Sequence, residues 1–384
     1  MNQTWAKPAV RNKLLLGLVA IGLLSLALAL RVFPARAYAN LLLAEVYFTG
    51  IALCGGFFIA LQYLMKGAWA VVFRRIPEAM TSFLPMAAAL MVLIWWGHPH
   101  IYHWVHAAGD HLIKAKAPYL NSTFFTIRII AYFSLWIFLT GRLVKNSLAQ
   151  DKNRDLNLTF VNMRWSAAFM IVFALSFAMA GFDLVMSLEP HWFSTVFGVY
   201  VFAGSFEASL ATLTLLLIAL RCHPDLKDKI NIAHIAFMAK LMLAFCIFWI
   251  YIWFSQFMLI WYSNLPEETV YYFQRWHNGW ELFFYLNIVI NWVVPFVGLL
   301  GYKAKRNIRW VGFMALVLLV GHWIDLYLMV LPSQVKGPVF SYPELGIFAG
   351  VAALFLLTVL RTFNRRPAVP CNDPLLEESI HLHE

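Results

Sequence analysis

An all-α integral membrane fold of ten transmembrane helices is what this sequence predicts, and three observations carry that expectation. Of 384 residues, 62% are hydrophobic and 12% charged, which is too apolar to be hidden inside one soluble core. Ten runs reach the roughly 20 apolar residues needed to cross about 30 Å of hydrocarbon. Those runs are continuous and do not alternate with polar residues, which excludes a transmembrane β-barrel.

The runs cover residues 14–30, 41–64, 83–97, 124–143, 165–184, 192–220, 235–261, 280–300, 310–331 and 345–360. The first follows Lys7, Arg11 and Lys13 and precedes Ala37 and Ala39, the outline of a signal peptide, but its apolar stretch is long for one. The net charge of +10 is a topology signal and not a nucleic-acid footprint. Of 29 Lys and Arg, 21 lie in the N-terminus, the even-numbered loops and the C-terminal tail. Only 6 lie in the odd-numbered loops, and Arg128 and Lys240 fall within or at the edge of helices. The positive-inside rule then puts both termini in the cytoplasm.

Cys54, Cys222, Cys246 and Cys371 show no CxxC, CxxCH or other ligand spacing, so no iron-sulfur cluster and no covalent haem is expected in this chain. Non-covalent haem needs histidines facing one another across helices, and only His322 lies well inside a run.

An internal repeat organises the runs. The fifth opens Arg164-Trp165 and ends Asp183-Leu184 before Pro190; the ninth opens Arg309-Trp310 and ends Asp325-Leu326 before Pro332. Asn121 precedes Phe124-Phe125 in the fourth much as Asn278 precedes Phe283-Phe284 in the eighth. Tyr47 to Gly50 and Tyr200 to Gly204 open the second and sixth. An offset of four helices preserves orientation, so helices two to five form one four-helix bundle and six to nine another, in a parallel repeat. The expected units are an N-terminal peripheral helix (1–39), the two bundles (40–191 and 192–332), and a C-terminal peripheral helix with cytoplasmic tail (333–384).

Ionisable side chains at membrane depth cost roughly 2.5–3.5 kcal/mol each and default to functional candidates. At about 1.5 Å of rise per residue, Glu45, Arg128, Asp183, Glu281, His322 and Asp325 fall in the outer half, Glu207 near the midplane and Lys240 near the cytoplasmic end. His322 and Asp325, three apart, share one helix face and come within reach of each other or of a common ligand. A histidine oriented by a carboxylate suits proton removal from a bound hydroxyl, as quinol oxidation requires; a structural hydrogen bond between helices is the alternative. Arg128 is expected to pair with Glu45 or Asp183. Glu207 and Lys240 are candidate steps between the outer cluster and the cytoplasm, with Lys240 snorkelling to the interface as the other reading. The third loop, with His98, His100, His103, His106 and His111, reads as an interfacial belt or docking surface before it reads as a metal site.

Tyr102-His-Trp104, Lys116-Ala-Pro-Tyr-Leu-Asn121 with Phe124, Phe125 and Arg128, the stretch from Phe182 to Phe193 followed by Phe197-Gly-Val-Tyr200, and His277-Asn-Gly-Trp280 resemble the NrfD-like (polysulfide-reductase-type) membrane subunits. Among these the chain is most similar to the second such subunit of bacterial alternative complex III. The resemblance covers nearly the whole chain. It implies a bacterial inner-membrane quinol:cytochrome c oxidoreductase, or another quinol-oxidising respiratory or photosynthetic complex. The implied partners are a paralogous NrfD-like subunit, iron-sulfur and haem c subunits on the periplasmic side, and lipid. Within the family a quinol or menaquinol site lies near the outer face of one NrfD-like subunit, and buried polar residues are proposed as a proton path. For this chain the path would comprise Asp183, Glu207, Lys240, Glu281, His322 and Asp325, and quinone contact would fall to Glu45, Arg128 and Asp183. The paralogue is the preferred oxidation site, leaving proton conduction and scaffolding here.

Two rivals remain. A stand-alone proton-coupled secondary transporter also buries acids and bases in repeated bundles, but its sites show matched helix breaks, and Pro295 has no counterpart in the fourth run. A purely structural membrane anchor of a redox complex is the other.

Overall fold

The computed structural model describes residues 8–107 and 109–382. Ten helices in it are long and apolar enough to cross a membrane: α1 (Pro8–Val32), α2 (Pro34–Leu64), α3 (Arg75–Ile101), α4 (Ser122–Asn153), α5 (Asn157–Leu184), α6 (Phe197–Leu220), α7 (Ile232–Ser263), α8 (Glu281–Leu300), α9 (Ile308–Val330) and α10 (Pro343–Asn364). The described residues contain no strand. The chain is therefore an all-α, multi-pass membrane protein.

Local chemistry sets the helix ends. Asn121 accepts from the Phe124 amide at 2.8 Å to start α4, Asn231 and His234 form a capping box on α7, and Asn307 accepts from the Arg309 and Trp310 amides to start α9. Arg154 and Asn264 end α4 and α7 in the left-handed region, at φ 52° and 48°.

Several helices outrun the apolar segments that announced them. α3 starts at Arg75 and α4 runs on to Asn153, because the extra turns carry polar groups that satisfy one another. Arg75 donates to Ser147 Oγ at 2.9 Å and pairs with Glu78 and Asp151, while Ser147 Oγ donates to Glu78 at 2.7 Å. Hydropathy scores these residues as loop; buried and paired, they continue the helix. α6 differs in the other direction, starting at Phe197 and leaving residues 192–196 outside it.

α2 lies against α3, α5 and α6; α4 against α3 and α5; α6 against α7 and α9; and α8 against α7 and α9. Of the apolar window of α2, 94% is buried, against 22% for α1, so α2 is an axle of the molecule and α1 a peripheral helix. α1 packs on α10 through Gly22 and Gly350, where a Cβ on Gly22 would lie 2.5 Å from the Gly350 Cα. Small residues at such a crossing let two backbones approach closely. Arg36 ties α2 to α10 through Glu344, at 2.6 and 2.7 Å.

The C-terminal tail folds back across the face formed by the even-numbered loops. Arg74 pairs with Asp373 at 2.7 Å, Asn372 donates to the Asp151 carbonyl at 2.7 Å, and Ser379 Oγ accepts from the Val72 amide at 3.0 Å. Burial alone would lower the Arg74 pKa, and the neighbouring Tyr63, Asp373 and Glu78 outweigh it, so the guanidinium is held charged.

Candidate functional site

Two buried aspartates lie near the face formed by the odd-numbered loops, one on α5 and one on α9. Asp183 is fully buried and takes both arms of the Arg128 guanidinium, Nε at 2.8 Å and Nη2 at 2.9 Å, with the Tyr132 hydroxyl donating at 2.8 Å. Arg128 Nη1 donates to the Tyr119 carbonyl at 3.0 Å, and the guanidinium lies 3.9 Å from the Tyr119 ring centroid and 4.4 Å from that of Phe124. A bidentate pair with the third guanidinium nitrogen also engaged and an aromatic ring on its face is a closed arrangement.

Asp325 is equally buried but meets no cation. Its donors are Trp249 Nε1 at 3.0 Å, Asn287 Nδ2 at 2.8 Å and the Tyr200 hydroxyl. They reach it from α7, α8 and α6, so one carboxyl group joins three neighbouring helices. α8 departs from α-geometry beside it, in the π-helical turn Val289–Val293, where Asn291 donates to Asn287 Oδ1 at 2.6 Å. Single π turns recur at functional sites.

His322 and Asp325 share a face of α9 but do not bond to each other. The oxygens of Asp325 face its three donors, while both ring nitrogens of His322 are buried without a partner. The histidine packs against Gly204 of α6, where a Cβ would lie 2.9 Å from Nδ1 and 3.3 Å from Asp325 Oδ2, and its ring centroid is 5.0 Å from that of Tyr47. Only glycine leaves this space. Tyr200, Gly204 and Glu207 follow one another along one face of α6. They define a depth order, with Tyr200 and Asp325 outermost, then Gly204 and His322, then Glu207.

Glu207, 1% exposed, has an unpartnered Oε1, and Ser205 Oγ is unpartnered beside Gly50 of α2. Glu45 accepts from Thr49 at 2.8 Å and leaves Oε2 unpartnered, lining a cavity of about 30 Å³ between α2, α4 and α5. Buried polar atoms are almost always satisfied, and a water needs only about 10–15 Å³. A second cavity of about 20 Å³ joins Asp325 to Gln256, Tyr271, Tyr272 and Arg275. Both cavities fit one or two waters and neither fits a quinone ring, for which pockets of roughly 300 Å³ and more are usual.

On the odd-loop side this second cavity meets a clamp. Arg275, at the end of the short helix Pro266–Arg275, donates to the Leu328 carbonyl at 2.8 Å and pairs with Glu189 at 2.8 Å. Burial alone would lower the Arg275 pKa, but Glu189 and Tyr271 outweigh it and the cation persists. Ser194 Oγ donates to Gln256 Oε1 at 3.0 Å, and Gln256 Nε2 donates to the Tyr272 hydroxyl at 3.3 Å, so polar groups continue from the cavity towards the surface.

The expected site residues thus separate. Arg128 pairs with Asp183 and not with Glu45, which faces its own cavity. Asp325, His322 and Glu207 gather along α6 and α9. Lys240 is exposed on α7 with its ammonium 4.6 Å from the Phe237 ring centroid. Glu281 is half-buried in the first turn of α8, where a carboxylate suits the helix dipole, and it does not join the Asp325 donors. One turn and two turns further along α6 from Glu207 come Leu210 and Thr214, the latter donating to the Leu210 carbonyl at 2.7 Å.

The loop histidines make separate local contacts. His98 bonds the Trp95 carbonyl and Ser122, His100 stacks on Tyr38, His106 donates to the Pro99 carbonyl and His191 approaches Asp110 at 3.2 Å.

Sequence reasoning missed Asn287, Asn291, Trp249 and the Tyr200 hydroxyl. Two of them were legible through the repeat: Arg128 and Tyr132 stand four and eight residues after Phe124, and Asn287 and Asn291 stand four and eight after Phe283. No family model matches the chain, and no curated protein matches its sequence. Chemically, the arrangement on α6 and α9 can accept, hold and release protons through water-sized spaces.

Proposed function

We propose that this chain is a membrane subunit of a quinol:cytochrome c oxidoreductase, of the NrfD-like type found as the second such subunit (ActF) of alternative complex III. Its task in electron transport would be to hold the complex in a bacterial inner membrane and to conduct protons through a column of buried polar residues. The observation that carries this reading is the set of orphaned or uncompensated buried groups at Asp325, His322 and Glu207, which ends near mid-depth and opens by way of Gln256 towards the odd-loop face. The positive-inside count assigns that face to the periplasm and both termini to the cytoplasm. In this reading α2–α5 and α6–α9 form two four-helix bundles in a parallel repeat, with α1 and α10 peripheral, which the packing of α2 on α3 and α5 and of α6 on α7 and α9 supports.

In this reading the iron-sulfur and haem c groups belong to periplasmic partner subunits. Quinol or menaquinol oxidation takes place on the paralogous NrfD-like subunit, because the cavities beside Glu45 and Asp325 here are of water size. The residues of this chain move the protons: Asp325 exchanges them with water on the odd-loop side, its three neutral donors stabilise the ionised form, and His322 and Glu207 relay inward. A stand-alone proton-coupled transporter is the second reading, favoured by the π turn in α8 beside Asp325; α4 has no matching break.

The test is purification of the chain through an affinity tag in mild detergent, with identification of co-purifying subunits and an absorption spectrum. Stoichiometric haem c and iron-sulfur partners are expected. A colourless, solitary chain would overturn the oxidoreductase reading and favour the transporter.

A further inference from the structure

The surface of α3 and α4 carries a feature the proton path does not use. Between the two helices, towards the even-loop end, lies an open groove of about 610 Å³, walled by Leu84 and Pro85 on α3 and by Ile137, Val144 and Leu148 on α4. A second groove of about 390 Å³, walled by Met91, Val92, Ile129 and Ile130, shares Ile137 with the first and extends it towards the other face. From Val144 to Ile130 the floor runs fourteen residues, about 21 Å at 1.5 Å per residue. One leaflet of a hydrocarbon layer is roughly 15 Å deep, so the trough is as long as an acyl chain needs.

Charge is confined to one end of it. Lys145 and Lys152 stand two turns apart on the same face of α4, and Arg366, just past the end of α10, joins them at the mouth. Arg366 Nη1 is buried and has no hydrogen-bond partner, a costly state for a guanidinium unless an anion completes it. Glu78, a carboxylate whose charge acts on it, is already engaged by Arg74 and Arg75.

We infer that this groove is a binding site for an anionic phospholipid, whose phosphate is held by Arg366, Lys145 and Lys152 and whose acyl chain lies in the trough between α3 and α4. Basic pockets between transmembrane helices suit anionic headgroups, since each Lys or Arg near the surface contributes on the order of a fivefold gain in affinity. The site lies beside the clasp in which the tail holds loop 2 and α4, so the lipid also secures the tail that supplies Arg366. The inference requires only that the chain spans a membrane and is independent of the redox reading.

Two measurements test it on the protein purified from its membranes with any accompanying subunits. In the first, phospholipid retained after detergent extraction is quantified for the wild type and for K145Q/K152Q/R366Q. Retention of anionic lipid near one per chain, falling on the order of 100-fold in affinity in the triple variant, is expected; equal retention would overturn the site. In the second, delipidated wild type is heated with phosphatidylglycerol, phosphatidylcholine or inorganic phosphate, which keeps the test decisive where the triple variant fails to fold. A rise in Tm with phosphatidylglycerol alone supports the inference. An equal rise with phosphatidylcholine would show unspecific apolar filling, and an equal rise with inorganic phosphate would show an ion site without the lipid; either overturns it.

Discussion

Asp183 and Asp325 occupy matching ends of α5 and α9, each preceded by an Arg-Trp start and each followed by leucine, and their surroundings are opposite in kind. Asp183 is clamped by a guanidinium in a bidentate pair, with a tyrosine completing it. Asp325 receives three neutral donors and no cation. The difference turns on one position of the repeat, arginine at 128 and asparagine at 287. A carboxylate engaged by both arms of a fixed guanidinium is a rivet between helices. One held by neutral donors beside a water-sized cavity can exchange a proton without breaking an ion pair, which suits the proposed proton carrier.

The largest effect that would break or sharpen this contrast is expected at the clamp. Asp183→Asn leaves the Arg128 cation buried and unpaired and should cost about 3–5 kcal/mol, seen as a loss of folded protein in a detergent unfolding titration. Its companion, the double change Arg128→Met with Asp183→Asn, should recover more than half of that loss. No recovery would mean that the pair is not the rivet described here.

The change at the other aspartate should separate stability from function. Asp325→Asn removes no counter-charge, and an amide can still accept from one or two of the donors, so a loss of about 1–2 kcal/mol is expected. Quinol-driven turnover of the assembled complex should nevertheless fall about tenfold or more. If the protein lost as much stability as with Asp183→Asn and kept full turnover per assembled complex, the two sites would be alike and the division of labour wrong.

Gly204→Ala comes next. The added methyl meets His322 Nδ1 at 2.9 Å, so overpacking should cost about 1–3 kcal/mol, and a thermal melt of the purified chain measures it.

The sequence by itself determined that ten helices cross a membrane, because an apolar run of about 20 residues is a one-dimensional property that no tertiary contact has to supply. It also showed Asp183 and Asp325 in like settings, each before a leucine in a run with an Arg-Trp start, and placed His322 and Asp325 on one face, since helical spacing fixes that. Which groups touch was decided only by tertiary structure. Arg128 had two acids within plausible reach and chose Asp183, leaving Glu45 to Thr49 and a cavity; Lys240 turned outward; and α3 gained its first turns because Arg75, Glu78, Ser147 and Asp151 meet from helices distant in sequence. The physical reason is the same in each case: the cost of burying a charge is set by the partner that packing brings to it, and that partner is not written in its sequence neighbours.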